Sequence, residues 1–188
     1  MSTVDKTTAI LESLYQLNVA DSYVVVPSGI LAPGAKRDYW AALHSADTLK
    51  YRWSDSDPNT TWEAVQETPN MYFLVDTETL QLVAEFTLCN FTGKSAQVHF
   101  SMHPQNSSDL NIFLATTVTD TILSQWKDVV TLEDTFLDSI FGLTPVQNRV
   151  ACIFIKKAGF KEMGTLISGT KYLNEVDNAL LSVKTRVN

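Results

Sequence analysis

The stretch "TPVQNRVACIFIKKAGF", residues 144–160, decides how the second half of this chain is read. Pro145 pre-sets a turn, Asn148 is a strong helix N-cap, and Gly159 supplies the left-handed residue on which a helix ends. Between them Val150, Ile153, Phe154 and the stem of Lys157 recur at helical spacing, which predicts that this face is buried. The amide of Asn148 then either only caps the helix or also meets a ligand.

Around that helix, 188 residues with 45% hydrophobic and 19% charged side chains make one folded domain rather than a disordered segment. No apolar run approaches the roughly 18 residues of a membrane span. The N-terminus has acids inside its apolar segment and no basic start, so the chain is expected to be cytoplasmic. Cys89 and Cys152 lie in apolar surroundings and are expected to be buried free thiols. His44, His99 and His103 show no H-x-x-x-H spacing and the cysteines no C-x-x-C, so no metal site is expected.

The charge is unevenly spread. Residues 149–188 hold seven Lys/Arg against three acids, while residues 1–148 hold seven against eighteen, and the whole carries −7. An acidic body argues against general nucleic-acid binding, which needs a basic face for phosphate. The basic end remains suited to one phosphorylated small molecule.

No repeat or linker divides the chain. Residues 3–19 read as a helix, 23–26 ("YVVV") as a buried strand, and 35–49 as helical. Thr60 or Thr61 is placed to cap a short helix through Gln66. From residue 70 the pattern sharpens: strands at 71–75, 80–89 and 95–102 form a meander, and a helix runs from Leu110 to Trp126. A strand at 135–143, the opening helix and a terminal strand pair complete the order β-β-β-α-β-α-β-β. That is α+β, with a parallel step wherever a helix joins two strands.

This order, with Asn opening the second helix and Gly-Phe closing it, resembles the GNAT (GCN5-related N-acetyltransferase) superfamily. The family's late motif has Asn, then Ala, Tyr, a basic residue and Gly-Phe at fixed steps. Here those positions are Asn148, Ala151, Ile155, Lys157, Gly159 and Phe160, of which all but Ile155 agree. The likeness covers residues 70–188, with residues 1–69 as an N-terminal segment, and is nearest to divergent GNAT-like proteins encoded by tailed phages.

The resemblance implies acetyl-CoA as cofactor and an amine as acceptor. It places pantetheine partners on the backbone of the third meander strand, at about Phe100 to His103, including Met102. It also implies diphosphate binding at the start of the next helix, where Ser107 and Ser108 stand, and at Asn148. Lys157, with Arg149 and Lys156, would meet the 3′-phosphate or form a solvated helix face. Trp40, Trp53 and Trp62 with Tyr39 and Tyr51 would line an acceptor pocket or pack in the core. Two features depart from the family pattern. The turn "HPQNSSDLNIF" (103–113) lacks the glycines that let backbone amides approach phosphate, and Asp109 adds a carboxylate there. Ile155 replaces the Tyr that protonates the departing thiolate.

A base is legible in the hairpin. A three-residue "FTG" loop with Gly93 left-handed would oppose Asn90 to Lys94 and Glu85 to His99. Glu85 and His99 would then form either a general-base pair or a cross-strand ion pair. His103, before Pro104 at a strand end, is expected to be exposed. Two functions compete: an N-acyltransferase moving an acetyl group from acetyl-CoA to an amine, and a catalytically inactive GNAT-fold structural or interaction protein. The second would be phage-encoded, with phage structural proteins as partners and a place in the virion.

Overall fold

The computed structural model describes residues 18–20, 22–47, 70–126, 136–173 and 175–186. The elements in chain order are β1 (Asn18–Ala20), β2 (Tyr23–Pro27), a 3-10 turn at Ser28–Ile30, and α1 (Pro33–Ser45). After them come β3 (Met71–Asp76), β4 (Leu82–Thr92), β5 (Ser95–Met102) and α2 (Ser108–Gln125). The chain closes with β6 (Ser139–Pro145), α3 (Arg149–Lys157), β7 (Lys161–Tyr172) and β8 (Glu175–Thr185). From residue 70 this is the expected order, and the fold is α+β. The expected helix over 3–19 lies outside the described residues, except its last two, which are strand. The expected cap at Thr60 or Thr61, and Tyr51, Trp53 and Trp62, also lie outside them.

The strands form one sheet in the order β1-β2-β3-β4-β5-β6-β8-β7. β5 and β6 are parallel because α2 carries the chain back between them, while the other neighbours are antiparallel. Alternation in β3 shows why the sheet needs cover on both faces. Met71 and Phe73 point one way, Tyr72 and Leu74 the other, and all four are buried. On the Tyr72 face α2 supplies Leu114, Val118 and Ile122, and α3 supplies Ile155 and Ala158. On the Phe73 face α1 supplies Tyr39, Trp40 and Leu43.

Several local expectations are corrected. α1 stops at Ser45, before Asp47 takes a left-handed φ of 56°, rather than running to Leu49. β6 begins at Ser139, not at 135. Neither cysteine is in a disulfide, as expected, but both are half-buried rather than buried. Gly93 is left-handed at φ 58°, as expected; Asn90 is left-handed too, at φ 49°, and a bulge between Cys89 and Thr92 shifts the hairpin register. Glu85 therefore opposes Ser101, and His99 opposes Thr87. The slip is two residues, so the faces are kept.

The larger correction concerns α3. Asn148 does cap it, accepting from the amide of Ala151 at 3.1 Å. The fully buried positions, however, are Ile155 and Ala158, with Ala151 and Phe154 half-buried beside them, while Val150 is 80% and Ile153 57% exposed. Alanines let the helix lie close to the sheet, and Gly142 of β6 leaves room beneath Ile155. Apolar spacing alone does not distinguish this side from the opposite face.

Candidate functional site

The parallel register of β5 and β6 covers only Ser95↔Ser139 to Gln97↔Phe141. Beyond it β6 stays with β8 through Pro145↔Ala179, and β5 stays with β4 through Met102↔Ala84. The two strands part in a V. His103 donates its amide to Val83 of β4, so by strand alternation the amides and carbonyls of Phe100 and Met102 turn toward the opening.

The V widens into a cleft of about 650 Å³, within the range of about 300–1,000 Å³ seen for small-molecule sites. It passes through the sheet. Phe100 and Met102 line it from the α2/α3 side, His99, Ser101 and His103 from the α1 side. On the first side it opens between Asn111 of α2 and the Asn148, Ala151 and Phe154 positions of α3. On the other it reaches Leu43 and Ala46 of α1, and Thr170 and Lys171 of β7 also line it.

Of the residues singled out in the sequence, His99, Met102, His103 and Asn148 all meet at this cleft. Glu85 lies behind it on the same face as His99, fully buried, with its carboxylate accepting from the Thr87 hydroxyl at 2.8 Å. Opposing Ser101, it is a diagonal neighbour of His99, a spacing that long side chains span. Ser107 and Ser108 stand exposed at the start of α2, and Lys157 lies on the outer side of α3. Tyr39 and Trp40 are core residues; Tyr39 donates its hydroxyl to the Ser101 carbonyl at 2.6 Å.

His103 is half-buried rather than exposed, its ring 5.7 Å from that of Tyr39. Burial pushes its pKa below the ordinary 6.5. Its main chain and ring also organise the turn into α2. The amide of Asn106 donates to the His103 carbonyl at 3.0 Å, and that of Gln105 reaches Nδ1 at 3.4 Å. Ser107 caps α2 by accepting from the amide of Leu110 at 3.1 Å. Three amides of this turn, those of Gln105, Asn106 and Leu110, are thus engaged locally, and Asp109 is exposed in the first turn. The open strand edge fits a pantetheine arm. The turn does not fit a diphosphate in the same way.

Sequence reasoning missed Thr170 and Lys171. They follow a bulge in β7, where Ser168 is left-handed at φ 51° and Gly169 packs against Leu166 and Ala179. The "SG" pair at 168–169 is the signal that a bulge interrupts the strand here.

Among the described residues no cluster of three or more His, Cys, Asp or Glu could hold a metal ion, and no helix is long and apolar enough to cross a membrane. The chain matches no protein-family model and no curated protein sequence. Solved structures do resemble it. A GNAT-family acetyltransferase from Bacillus anthracis superposes with a TM-score of 0.66 at 12% identity, over 88% of this chain and 96% of that one. Spermidine N-acetyltransferase from Vibrio cholerae, solved with CoA and spermine, gives 0.60 at 15% identity over 89% and 97%. A ribosomal L7/L12 α-N-protein acetyltransferase in complex with CoA gives 0.61 at 10% identity over 90% and 97%. With the parted strands, the Asn148-capped helix and these neighbours in agreement, the chain has the fold of the GNAT acetyltransferases.

Proposed function

We propose that this protein is an N-acyltransferase that moves an acyl group, acetyl in the simplest case, from a pantetheine thioester such as acetyl-CoA to an amine. The observation that carries this reading is the cleft between β5 and β6, which has strand backbone on one wall, Asn148 at one mouth and His99 at the other. When bound, the thioester supplies the activated acyl carbon. The backbone of Phe100 and Met102 holds the arm and polarises its carbonyl, an electrostatic contribution that is large in a water-poor cleft. The side-chain NH₂ of Asn148, whose oxygen is used by the cap, donates at the mouth. The exposed Ser107 and Ser108 lie toward the single phosphate that ends the pantetheine arm.

On the α1 side His99 takes the proton from the attacking amine, and Glu85 positions the imidazole from behind. The new C–N bond forms as the C–S bond breaks, and the amine nitrogen loses one proton. Ile155 has no proton to give the sulfur, so the thiolate is protonated through solvent.

Calorimetric titration of acetyl-CoA at low salt, followed by an amine screen, tests the reading. Micromolar binding, with His99→Gln lowering kcat by about 10²-fold or more at unchanged thioester KM, supports it. Absence of binding at millimolar thioester refutes it. The second reading, a non-catalytic interaction protein, is favoured by Ile155 and by the glycine-free turn.

A further inference from the structure

The outer face of α3 is the least explained surface beside the cleft. At 100° per residue, Arg149, Val150, Ile153, Lys156 and Lys157 fall within about 120° of one another. All five are exposed, and the helix has no acidic residue. On the opposite side Ile155 and Ala158 pack on the sheet, while Asn148, Ala151 and Phe154 line the cleft. The face is therefore a mixed apolar and cationic strip along the mouth through which a pantetheine arm would leave. Nucleotide phosphates alone do not account for Val150 and Ile153, exposed at 80% and 57%. The turn before α2 is poorer in amides for a diphosphate: Gln105 and Asn106 give theirs to His103, Leu110 gives its own to Ser107, and Asp109 adds negative charge.

We infer that the acyl donor arrives on a carrier protein, an acidic helical partner bearing its thioester on a serine-linked 4′-phosphopantetheine. Its acidic helix lies on Arg149, Lys156 and Lys157, its apolar side chains cover Val150 and Ile153, and the arm enters between α2 and α3. The link to such a carrier is a single phosphodiester, so no diphosphate cradle is needed. Charge complementarity selects this occupant, because the strip joins three cations to two large apolar side chains on a chain whose overall charge is −7. The inference rests on the acyltransferase reading of the cleft. In the transfer, the carrier's C–S bond breaks as the C–N bond forms, and the carrier leaves as a free thiol that takes up a proton in place of the one the amine released.

The test is binding of a holo acyl carrier protein to the full chain by fluorescence anisotropy, with its apo form, CoA, 3′-dephospho-CoA and 4′-phosphopantetheine alongside. The holo carrier is expected to bind at least about tenfold tighter than CoA. Arg149→Glu with Lys157→Glu should weaken the carrier by about tenfold or more and leave phosphopantetheine unchanged, as should Val150→Ser with Ile153→Ser. Circular dichroism checks that the variants fold. CoA binding as tightly as the carrier, or losing about tenfold with the 3′-phosphate or with Arg149→Glu, would make the strip a nucleotide contact and overturn the inference. So would a dimer in sedimentation that these substitutions dissociate, since a second copy would then cover the face. If CoA binds and acetyl-CoA is turned over while the carrier does not bind, this inference fails and the acyltransferase reading stands. If phosphopantetheine, CoA and carrier all fail to bind, both fall.

Discussion

The ammonium of Lys184 lies 3.1 Å from the carbonyl oxygen of Ala158, the residue that closes α3. The same nitrogen is 2.9 Å from the Thr119 hydroxyl and 2.7 Å from the Asp120 carboxylate, both on α2. One nearly buried cation thus holds the negative end of one helix against the flank of the other. These are the two helices whose first turns frame the cleft. Lys184→Met keeps the stem and leaves the Ala158 carbonyl without this donor, at a cost of about 1–3 kcal/mol. Asp120 is more than half exposed, so Asp120→Asn should cost under about 1 kcal/mol. Urea unfolding of the two variants checks the contrast; equal losses would mean that the Asp120 pair, not the helix end, holds the junction.

Asn148 caps α3 with its oxygen and lines the cleft, where we propose that its NH₂ meets the thioester. The two roles separate by substitution. Asn148→Ala should lose about 1 kcal/mol of stability with the cap, a fall of about 2–4 °C in Tm for a chain of this size. Asn148→Asp keeps an acceptor at the cap, favoured by the helix dipole, but presents a carboxylate where an amide donor stood. It should melt near the wild type yet bind the thioester about tenfold or more weakly. Unchanged affinity in the aspartate variant would reduce Asn148 to a cap.

Most of the frame is legible in the sequence because it rests on short-range rules. Asn148 and Gly159 bound α3, and period-two alternation puts Glu85 and His99 on one face. The misreadings of the α3 face and of the hairpin register have one origin. Val150 and Ile153 match a buried stripe in spacing, but which stripe docks is a tertiary fact, here the seating of Ile155 and Ala158 in the core. Likewise the bulge at Asn90 is a choice between two turns of similar cost, settled by where Thr92 meets Ser95. The cleft was anticipated only through the family likeness, since strand splaying leaves no mark on local composition. Thr170 and Lys171 join it from more than sixty residues beyond His103.

His103 gives the fold a pH dependence. Burial lowers its folded pKa below the ordinary 6.5, so folding favours the neutral ring. Above about pH 6.5 both states are neutral and the penalty is absent. As pH falls through that value the unfolded chain takes up a proton first, and stability declines until the folded pKa is passed. Protonated Nδ1 can also no longer accept from Gln105. The wild type should therefore lose more Tm between pH 7 and pH 5.5 than His103→Gln does. An imidazole proton titrating at or above 6.5 by NMR would contradict this.

Gly169 tests the cleft from its far wall. A Cβ there would lie 2.8 Å from Cβ of Leu166 and 2.9 Å from Cβ of Ala179, both closer than side chains tolerate. Ala179 is fully buried between β6 and β7, so neither neighbour can step aside without moving strand backbone. Gly169→Ala should cost about 1–3 kcal/mol by overpacking. The easier path for relief is outward movement of the bulge, which carries Thr170 and Lys171 off the cleft. The amine KM should then rise while thioester affinity, set on the opposite wall at Asn148 and Met102, stays near wild type. Equal weakening of both substrates would show that the bulge supports the whole sheet rather than the acceptor side alone.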